Sequence, residues 1–228
     1  MRRVVIPPEA PLRLFAFIIF ERETDDMLTT TRRAAIMLTA FVCLGAFAQP
    51  LRAATPEVTA FTTQFGQELV AVVNGPAPND QKTALLKPTI ERHVDVATIA
   101  RFCLGRFWAK ATPDQQARYT QVFHRVLLKS ISGHLGEYQG VSYTIKETRP
   151  LGDDVAVNTT IVRPNAPTAD VQWVISSKSG APLIIDVIAE GTSMRVTQRN
   201  DYGSFLSGHG RDIDALVEAM TQKLERKS

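Results

Sequence analysis

Hydrophobic positions recur every three or four residues between about residue 56 and residue 138, which predicts helices in this part of the chain. The stripe that defines the first helix, over residues 56–73, consists of Val58, Phe61, Phe65, Leu69 and Val72. The run Asn74-Gly75-Pro76 is a stop signal for this helix. A short second helix is predicted from a cap at Asn79 through Leu86, with Pro88 ending it.

Two further helices have clear capping signals. Asp95 can cap a helix that closes at Gly105 and whose inward positions are Val96, Ile99, Ala100 and Cys103. Residues 112–115 form a capping box with proline at the first helical position, which predicts a long helix running towards Ser132 or Tyr138. The buried stripe of that helix is predicted to be Tyr119, Phe123, Val126, Leu127 and Ile131.

The hydrophobic period changes to two after residue 140, which is typical of strands with one buried face. Turn sequences at 152–154, 164–167 and 179–180 divide this region into four strands, the last over 183–189. The apolar positions of the first three are Val141, Tyr143 and Ile145, then Val155, Val157, Thr159 and Ile161, then Val171, Trp173 and Ile175. Short turns between strands favour an antiparallel meander, and helices return at 199–206 and 212–224.

Helices before and after a meander predict an α+β fold. We expect a four-stranded twisted antiparallel sheet on which the helices pack to enclose an apolar pocket. A pocket between helices and a curved sheet is the geometry that small apolar ligands favour.

The first 54 residues are predicted to be an N-terminal extension and a cleaved export signal. Residues 27–33 form a basic start that ends in Arg32 and Arg33, residues 34–48 are apolar, and Ala46-Phe47-Ala48 has the form of a cleavage site. A second such site is at Ala53 and Ala54. The alternative is a retained anchor, because residues 12–20 are also apolar.

Charge and cysteine content reduce the number of function classes that fit the chain. From Thr55 onward the chain has 19 basic and 18 acidic residues, and this balance argues against a nucleic-acid binder, which needs a basic face. Cys43 falls in the predicted signal, so Cys103 would remain alone, without an internal disulfide. The histidines at 93, 124, 134 and 209 have no ligand-like neighbours, and we expect no metal and no cofactor.

Candidate catalytic chemistry is sparse. Ser193 follows Gly191 but lacks the second glycine of a nucleophile elbow, so a turn serine is the favoured interpretation. Asp186 and Glu190 suggest a two-carboxylate hydrolase, but four residues of strand separate them by about 13 Å, beyond both glycosidase spacings. Structural use of these carboxylates, against turn amides or an arginine, is the preferred interpretation.

The motifs resemble the MlaC-type periplasmic phospholipid-binding proteins, also called the toluene-tolerance or ABC-transporter auxiliary family. The resemblance rests on the segment LGRFWAKATPDQQARY at 104–119, on PLGD at 150–153, on VQW at 171–173 and on DVIAEGTSM at 186–194. Their order and spacing agree from about Val58 to Leu224. One departure is the segment Ala181-Pro182-Leu183-Ile184-Ile185, where the family commonly has a tryptophan.

The resemblance implies a single lipid-binding domain over 55–228 and a non-catalytic carrier in the Gram-negative periplasm. Such a carrier shuttles phospholipid between an inner-membrane ABC transporter complex and an outer-membrane lipoprotein/porin complex. A related subgroup is associated with hopanoids, so a rigid polycyclic lipid is an alternative cargo. Two functions apart from lipid carriage also stay open. One is an enzyme that acts on a small apolar substrate, with Asp186 at the base of the pocket. The other is an adaptor without cargo, for which filling the pocket with Val157→Trp would leave function intact.

Candidate residues of the pocket walls are chosen by their positions on the predicted helices and strands. These lipid-binding candidates are Phe102, Phe107, Tyr119, Phe123, Val126, Leu127, Tyr143, Val157, Trp173, Ile175, Ile185 and Val187. Arg106, Lys110 and Arg118 are predicted at the mouth, facing lipid phosphate or an acidic partner, with solvated surface charge as the alternative.

Overall fold

The computed structural model describes residues 56–133, 135–164 and 166–225. The predicted extension and export signal, with Cys43, fall outside these described residues, as does His134. The predictions of a cleaved signal and of a single lipid-binding domain therefore stay predictions.

Three helices form the first part of the described chain. Helix α1 spans Pro56–Asn74, α2 spans Asn79–His93 and α3 spans Val96–Leu104. The Asp95 cap is confirmed, because its side chain accepts a hydrogen bond from the Thr98 amide at 2.9 Å. Gly105 closes α3 at a φ of 57°, a backbone conformation that favours glycine.

The prediction for α2 was wrong at both ends. Pro78, not Asn79, is the residue before the first helical turn, and its carbonyl accepts from the amides of Gln81 and Lys82. The helix continues through Pro88 to His93. Proline removes one hydrogen bond of the helix, but Leu86 and Ile90 on either side of it are buried in the core. Their packing outweighs the local cost.

Helix α4 spans Pro113–Gly133, between a 3₁₀ helix at Gly105–Lys110 and another at Leu135–Tyr138. The predicted capping box is confirmed, with Thr112 and Gln115 exchanging side-chain-to-amide hydrogen bonds of 3.1 and 3.2 Å. The helix therefore begins where the sequence predicts and ends at the nearer of the two expected positions.

The sheet is an antiparallel meander in which strands are neighbours in chain order. Its strands are β1 (Ser142–Leu151), β2 (Asp154–Val162), β3 (Ala169–Ser176), β4 (Leu183–Ala189) and β5 (Thr192–Ser193). The four-strand prediction is thus correct for the main sheet, and the fifth strand is a two-residue addition after the turn at Gly191. A register shift lies in β4, where Val174 pairs with Asp186 but Ile175 pairs with Ile184, so Ile185 is unmatched.

Two helices follow the sheet: α5 (Met194–Gly208) and α6 (Ile213–Glu225). Helix α5 starts five residues before the predicted position because the Ser193 hydroxyl caps it by accepting from the Val196 amide at 3.2 Å. The α+β fold class is confirmed. None of the described helices combines the length and the hydrophobicity that a membrane span needs.

Buried side chains form two separate hydrophobic cores. The sheet core lies between the inner face of the sheet and helices α1, α2 and the end of α4, and includes Phe65, Ile90 and Trp173. The helical core lies among α3, α4, α5 and α6, and includes Leu104, Tyr119 and Leu206. Helix α4 contributes to both, so it separates a sheet layer from a helical layer.

Candidate functional site

The sheet core contains an apolar cavity with a volume of about 170 Å³. Helices α1 and α4 form one wall, with further residues from α2, α3 and α5, and the inner face of β1 to β4 forms the other. The walls are mostly aliphatic and aromatic; their apolar residues include Phe65, Leu69, Val70, Val73, Ile90, Phe123, Leu127, Ile131, Leu135, Val141, Ile161, Val171, Trp173, Ile184, Val187, Ala189 and Met194.

The sheet wall is anchored by a buried hydrogen-bond chain. The indole N–H of Trp173 donates to the Thr159 hydroxyl at 2.9 Å, and that hydroxyl donates to the Val171 carbonyl at 3.0 Å. The Trp173 ring also meets the edge of Phe65 on α1, at a centroid distance of 5.3 Å. These contacts satisfy the indole N–H of Trp173 and the hydroxyl of Thr159, the two polar groups at this part of the wall.

Helix α1 lies against the sheet at Gly66. A Cβ atom at this position would overlap the Tyr143 ring, whose hydroxyl donates to the Thr63 carbonyl at 2.8 Å. Glycine is therefore required for this close approach. Gly66 and Tyr143 both line the cavity, so the contact sets the distance between its two walls.

Five of the twelve predicted pocket residues line this cavity: Phe123, Leu127, Tyr143, Trp173 and Val187. They come from four elements, α4, β1, β3 and β4, which the fold brings together. Their contact with a ligand stays a prediction.

The structure places four of the remaining candidates among the helices, away from the cavity. Phe107, Tyr119 and Val126 are buried in the helical core, and the Tyr119 hydroxyl donates to the Ala100 carbonyl at 3.0 Å. Phe102 lies beneath the guanidinium groups of two arginines of α5. Helix α4 has apolar residues on two faces, and only the face of Phe123, Leu127 and Ile131 reaches the cavity.

Three candidates from the sheet are buried but do not reach the cavity wall. Val157 is fully buried under the wall, and Ile175 is 1% exposed within the same core. Ile185 is the residue that the β4 register shift leaves unmatched, which changes the face on which its side chain lies. Because Val157 does not line the cavity, Val157→Trp would disturb the packed core before it filled the cavity.

The cations expected at the mouth lie elsewhere. Arg106 and Lys110 are exposed, with the Arg106 guanidinium 5.0 Å from the Phe107 ring centroid. Arg118 pairs with Asp114 at 2.9 Å and with Asp214 at 2.8 Å. None of the three is part of the cavity wall, and solvated surface charge describes them better.

Asp186 is a buried structural carboxylate at the end of the cavity. It accepts hydrogen bonds from the Ser193 hydroxyl at 2.5 Å and from the amides of Val187 and Arg195 at 2.8 and 3.1 Å. The Arg195 side chain is 3.3 Å away. Glu190 is exposed and faces the outer groove of the sheet, so the two carboxylates do not share a site.

The described histidines are used in packing. His93 is 3% exposed and its ring lies 5.3 and 5.4 Å from the rings of Phe61 and Phe65. His209 stacks on Phe205, and His124 lies 3.7 Å from Glu91. Within the described part of the chain, no group of three or more histidine, cysteine or acidic side chains could hold a metal ion.

Two polar residues on the cavity wall were not predicted from the sequence. The amide nitrogen of Gln198 and one guanidinium nitrogen of Arg163 are buried without a hydrogen-bond partner in the described structure. Gln198 lies on helix α5, and Arg163 lies between the end of β2 and Pro164. Polar and charged residues are common at both kinds of position. No spacing or motif in the sequence marks either one.

Together, the sheet, the surrounding helices and the apolar cavity between them define an α+β protein built around an apolar pocket. Residues 59–222 match the family model described as MlaC protein, and the chain belongs to this family.

Two known proteins are similar to the chain. Toluene tolerance protein ttg2D of Pseudomonas putida is 25% identical over 114 residues, which cover 50% of this chain and 53% of that protein, so the match spans about half the relative's length. A phospholipid-binding protein from Ralstonia solanacearum, solved in complex with a phospholipid, superposes with a TM-score of 0.65 at 20% identity. The superposition covers 73% of this chain and 98% of that one, and shows that the fold is shared.

Proposed function

We propose that this protein is a non-catalytic lipid carrier that holds acyl chains in the cavity between its sheet and its helices. The observation that carries the proposal is the cavity itself, whose walls are formed almost entirely by aliphatic and aromatic side chains. Transfer of an acyl chain from water into such a space recovers about 0.8 kcal/mol per buried CH₂ group. Membership of the MlaC family and the lipid-bound neighbour of the same fold support this function.

The cavity must widen when a lipid is loaded. Its volume of about 170 Å³ resembles that of an engineered apolar cavity that holds benzene, and is below the ~300 Å³ of ordinary ligand pockets. A whole phospholipid needs more room. We infer that α1 moves away from the sheet when the cavity widens, which would break the hydrogen bond from the Tyr143 hydroxyl to the Thr63 carbonyl.

We also propose that the carrier is exported to the periplasm and exchanges lipid with an inner-membrane ABC transporter complex and an outer-membrane lipoprotein/porin complex. The predicted signal over residues 27–48 supports export, and the family match supports a role in transport. N-terminal sequencing of the protein from a periplasmic extract tests export: we expect a chain that starts near Gln49 or Thr55. A chain that keeps residues 34–48 and remains in the membrane fraction would contradict it.

The decisive experiment identifies lipid that co-purifies with the protein. We expect native mass spectrometry of gently purified protein to show bound phospholipid, while a polycyclic lipid in the same spectrum would assign the hopanoid alternative. The variant Ala189→Trp places an indole on the cavity wall at the end of β4 and should reduce bound lipid at least about tenfold.

Ile188→Trp is the matched control, because residue 188 faces the outer groove of the same strand. It should leave lipid content unchanged. Protein that is empty after gentle purification and takes up no lipid from phospholipid vesicles would refute the carrier function. Equal lipid content in the two variants would place the lipid outside the cavity.

A further inference from the structure

Arg163 is a buried cation on the cavity wall. It follows the last residue of β2, is 6% exposed, and its guanidinium lies 4.8 Å from the centroid of the Tyr138 ring, which is also on the wall. Its Nη2 atom is buried and has no hydrogen-bond partner in the described structure. The ring stabilises the positive charge but accepts none of the in-plane N–H bonds that a guanidinium offers.

The other cations near the cavity have acceptors in the protein. Lys82 is 1% exposed, and its ammonium donates to the Val73 carbonyl at 2.6 Å and to Gln139 at 3.4 Å. Arg195, on the same wall and partly exposed, forms an ion pair of 3.3 Å with the Asp186 carboxylate, although its Nε atom makes no hydrogen bond among the described residues. No described acidic side chain forms an ion pair with Arg163. A buried guanidinium stays charged, so an unpaired one is costly unless a ligand completes it.

We propose that Arg163 binds the phosphate of a lipid head group when the cavity is loaded. A guanidinium is well suited to phosphate because its planar N–H groups match two phosphate oxygens. The inference rests on the proposed carrier function and assigns the residue that recognises the phosphate of its phospholipid cargo. It disfavours a neutral polycyclic lipid, which would leave Arg163 without an anion.

The test compares two ligands that differ only in the phosphate. Lysophosphatidic acid and monoacylglycerol with the same acyl chain are titrated below their micelle concentrations into wild type, Arg163→Met and Arg163→Lys. We expect wild type to bind the phosphate-bearing lipid at least about tenfold more tightly than the neutral one. Arg163→Met should lose this preference and keep its affinity for monoacylglycerol, and Arg163→Lys should retain part of the preference.

Arg106→Met is the matched control, because it removes an exposed arginine that also lies over an aromatic ring but is not on the cavity wall. It should behave as wild type. Arg163→Met should unfold at a temperature no lower than wild type, since it replaces an unpaired buried charge with an apolar chain of similar length. If it does not fold, the partial preference of Arg163→Lys still decides the question.

Four results would overturn the proposal. Wild type could bind both lipids equally, or Arg163→Met could keep the wild-type preference; in both cases the carrier function stands and the role of Arg163 fails. Inorganic phosphate could bind wild type as tightly as lysophosphatidic acid and depend on Arg163, which would assign a free-anion site instead. Wild type that binds neither lipid would refute the carrier function, and this inference with it.

Discussion

Burial determines the chemistry of Cys103, the cysteine of the described region. Its side chain is 1% exposed on the cavity wall, and its thiol lies 3.6 Å from the Arg195 carbonyl, to which it donates. Desolvation raises the pKa of this thiol from 9.0 to about 12, and the nearby Asp186 carboxylate adds to the rise. The positive charges of Arg195 and Arg199 lower the pKa of the thiol and offset only part of this rise. Cys103 is therefore a small apolar wall group rather than a nucleophile.

Thiol alkylation measures this directly. Because only the thiolate reacts, a pKa of about 12 against an ordinary 9.0 predicts that Cys103 in the folded protein reacts with iodoacetamide at pH 8 about 1000-fold more slowly than in urea. The rate should rise as pH increases towards 12. Bound lipid should slow it further, since it fills the space next to the sulfur. Rapid labelling of the folded protein at pH 8 would show that the wall opens to solvent at this position.

At the scale of the element, Asp186 joins β4, β5 and α5. It binds the hydroxyl of Ser193, which caps α5, and two backbone amides on either side of the turn. It also holds Arg195, whose guanidinium lies over Phe102 at 4.5 Å. One carboxylate thereby fixes the angle at which the last helices leave the sheet.

Asp186→Asn should therefore lower the free energy of unfolding by about 2–4 kcal/mol, because the amide loses an acceptor oxygen and leaves Arg195 without a charged partner. Urea denaturation measures the change. Glu190→Gln, at the exposed end of the same strand, should alter stability by less than about 0.5 kcal/mol. A stable Asp186→Asn variant that loses a turnover activity would instead favour the enzyme alternative.

Elements with a local signal were predicted well from the sequence. The Asp95 cap and the Thr112–Gln115 capping box depend on residues close in the chain, and both form as expected. The strand alternation gave the correct meander for the same reason. The end of α2 was missed because the packing of Leu86 and Ile90 decides it, and that packing involves other parts of the chain.

The cavity was harder to predict because it depends on which buried face of an element meets which neighbour. The stripe of α4 contains Tyr119 and Leu127 alike, but the first enters the helical core and the second the cavity. A one-residue irregularity turns Ile185 away. Arg163 has no local pattern at all, since its significance arises from burial and from a missing partner.

At the scale of the whole molecule, the two cores have different properties. The sheet core holds the cavity, whereas the helical core is packed around aromatic rings: Tyr119 meets Phe123 at 5.9 Å and Tyr202 at 6.1 Å. This division suits a carrier, because the helical core can keep the molecule folded while the sheet core widens. Loss of lipid should then leave the helical core intact.

The helical core also makes stability depend on pH in the alkaline range. Burial raises the pKa of both Tyr119 and Tyr202 well above the ordinary value of 10.0. In the unfolded chain these phenols lose their protons near pH 10, while in the folded protein they stay neutral. The stabilisation is therefore complete below about pH 9 and is lost as pH rises above it, because only the unfolded state releases protons.

Replacing one tyrosine by phenylalanine distinguishes the loss of stability caused by tyrosine ionisation from other effects of high pH. The Tyr202 hydroxyl is buried without a hydrogen-bond partner in the part of the chain that the structure describes. Tyr202→Phe should therefore not reduce stability at pH 7 and should flatten the loss above pH 10 by up to about 1.4 kcal/mol per pH unit. Tyr119→Phe should flatten it equally but cost about 1 kcal/mol at pH 7, since its hydroxyl donates to Ala100. Urea unfolding from pH 7 to 11 distinguishes the two. If the stability of Tyr202→Phe followed that of wild type at every pH, Tyr202 would have to be accessible to water in the folded protein. The helical core would then not be a water-free core that stays folded while the cavity widens.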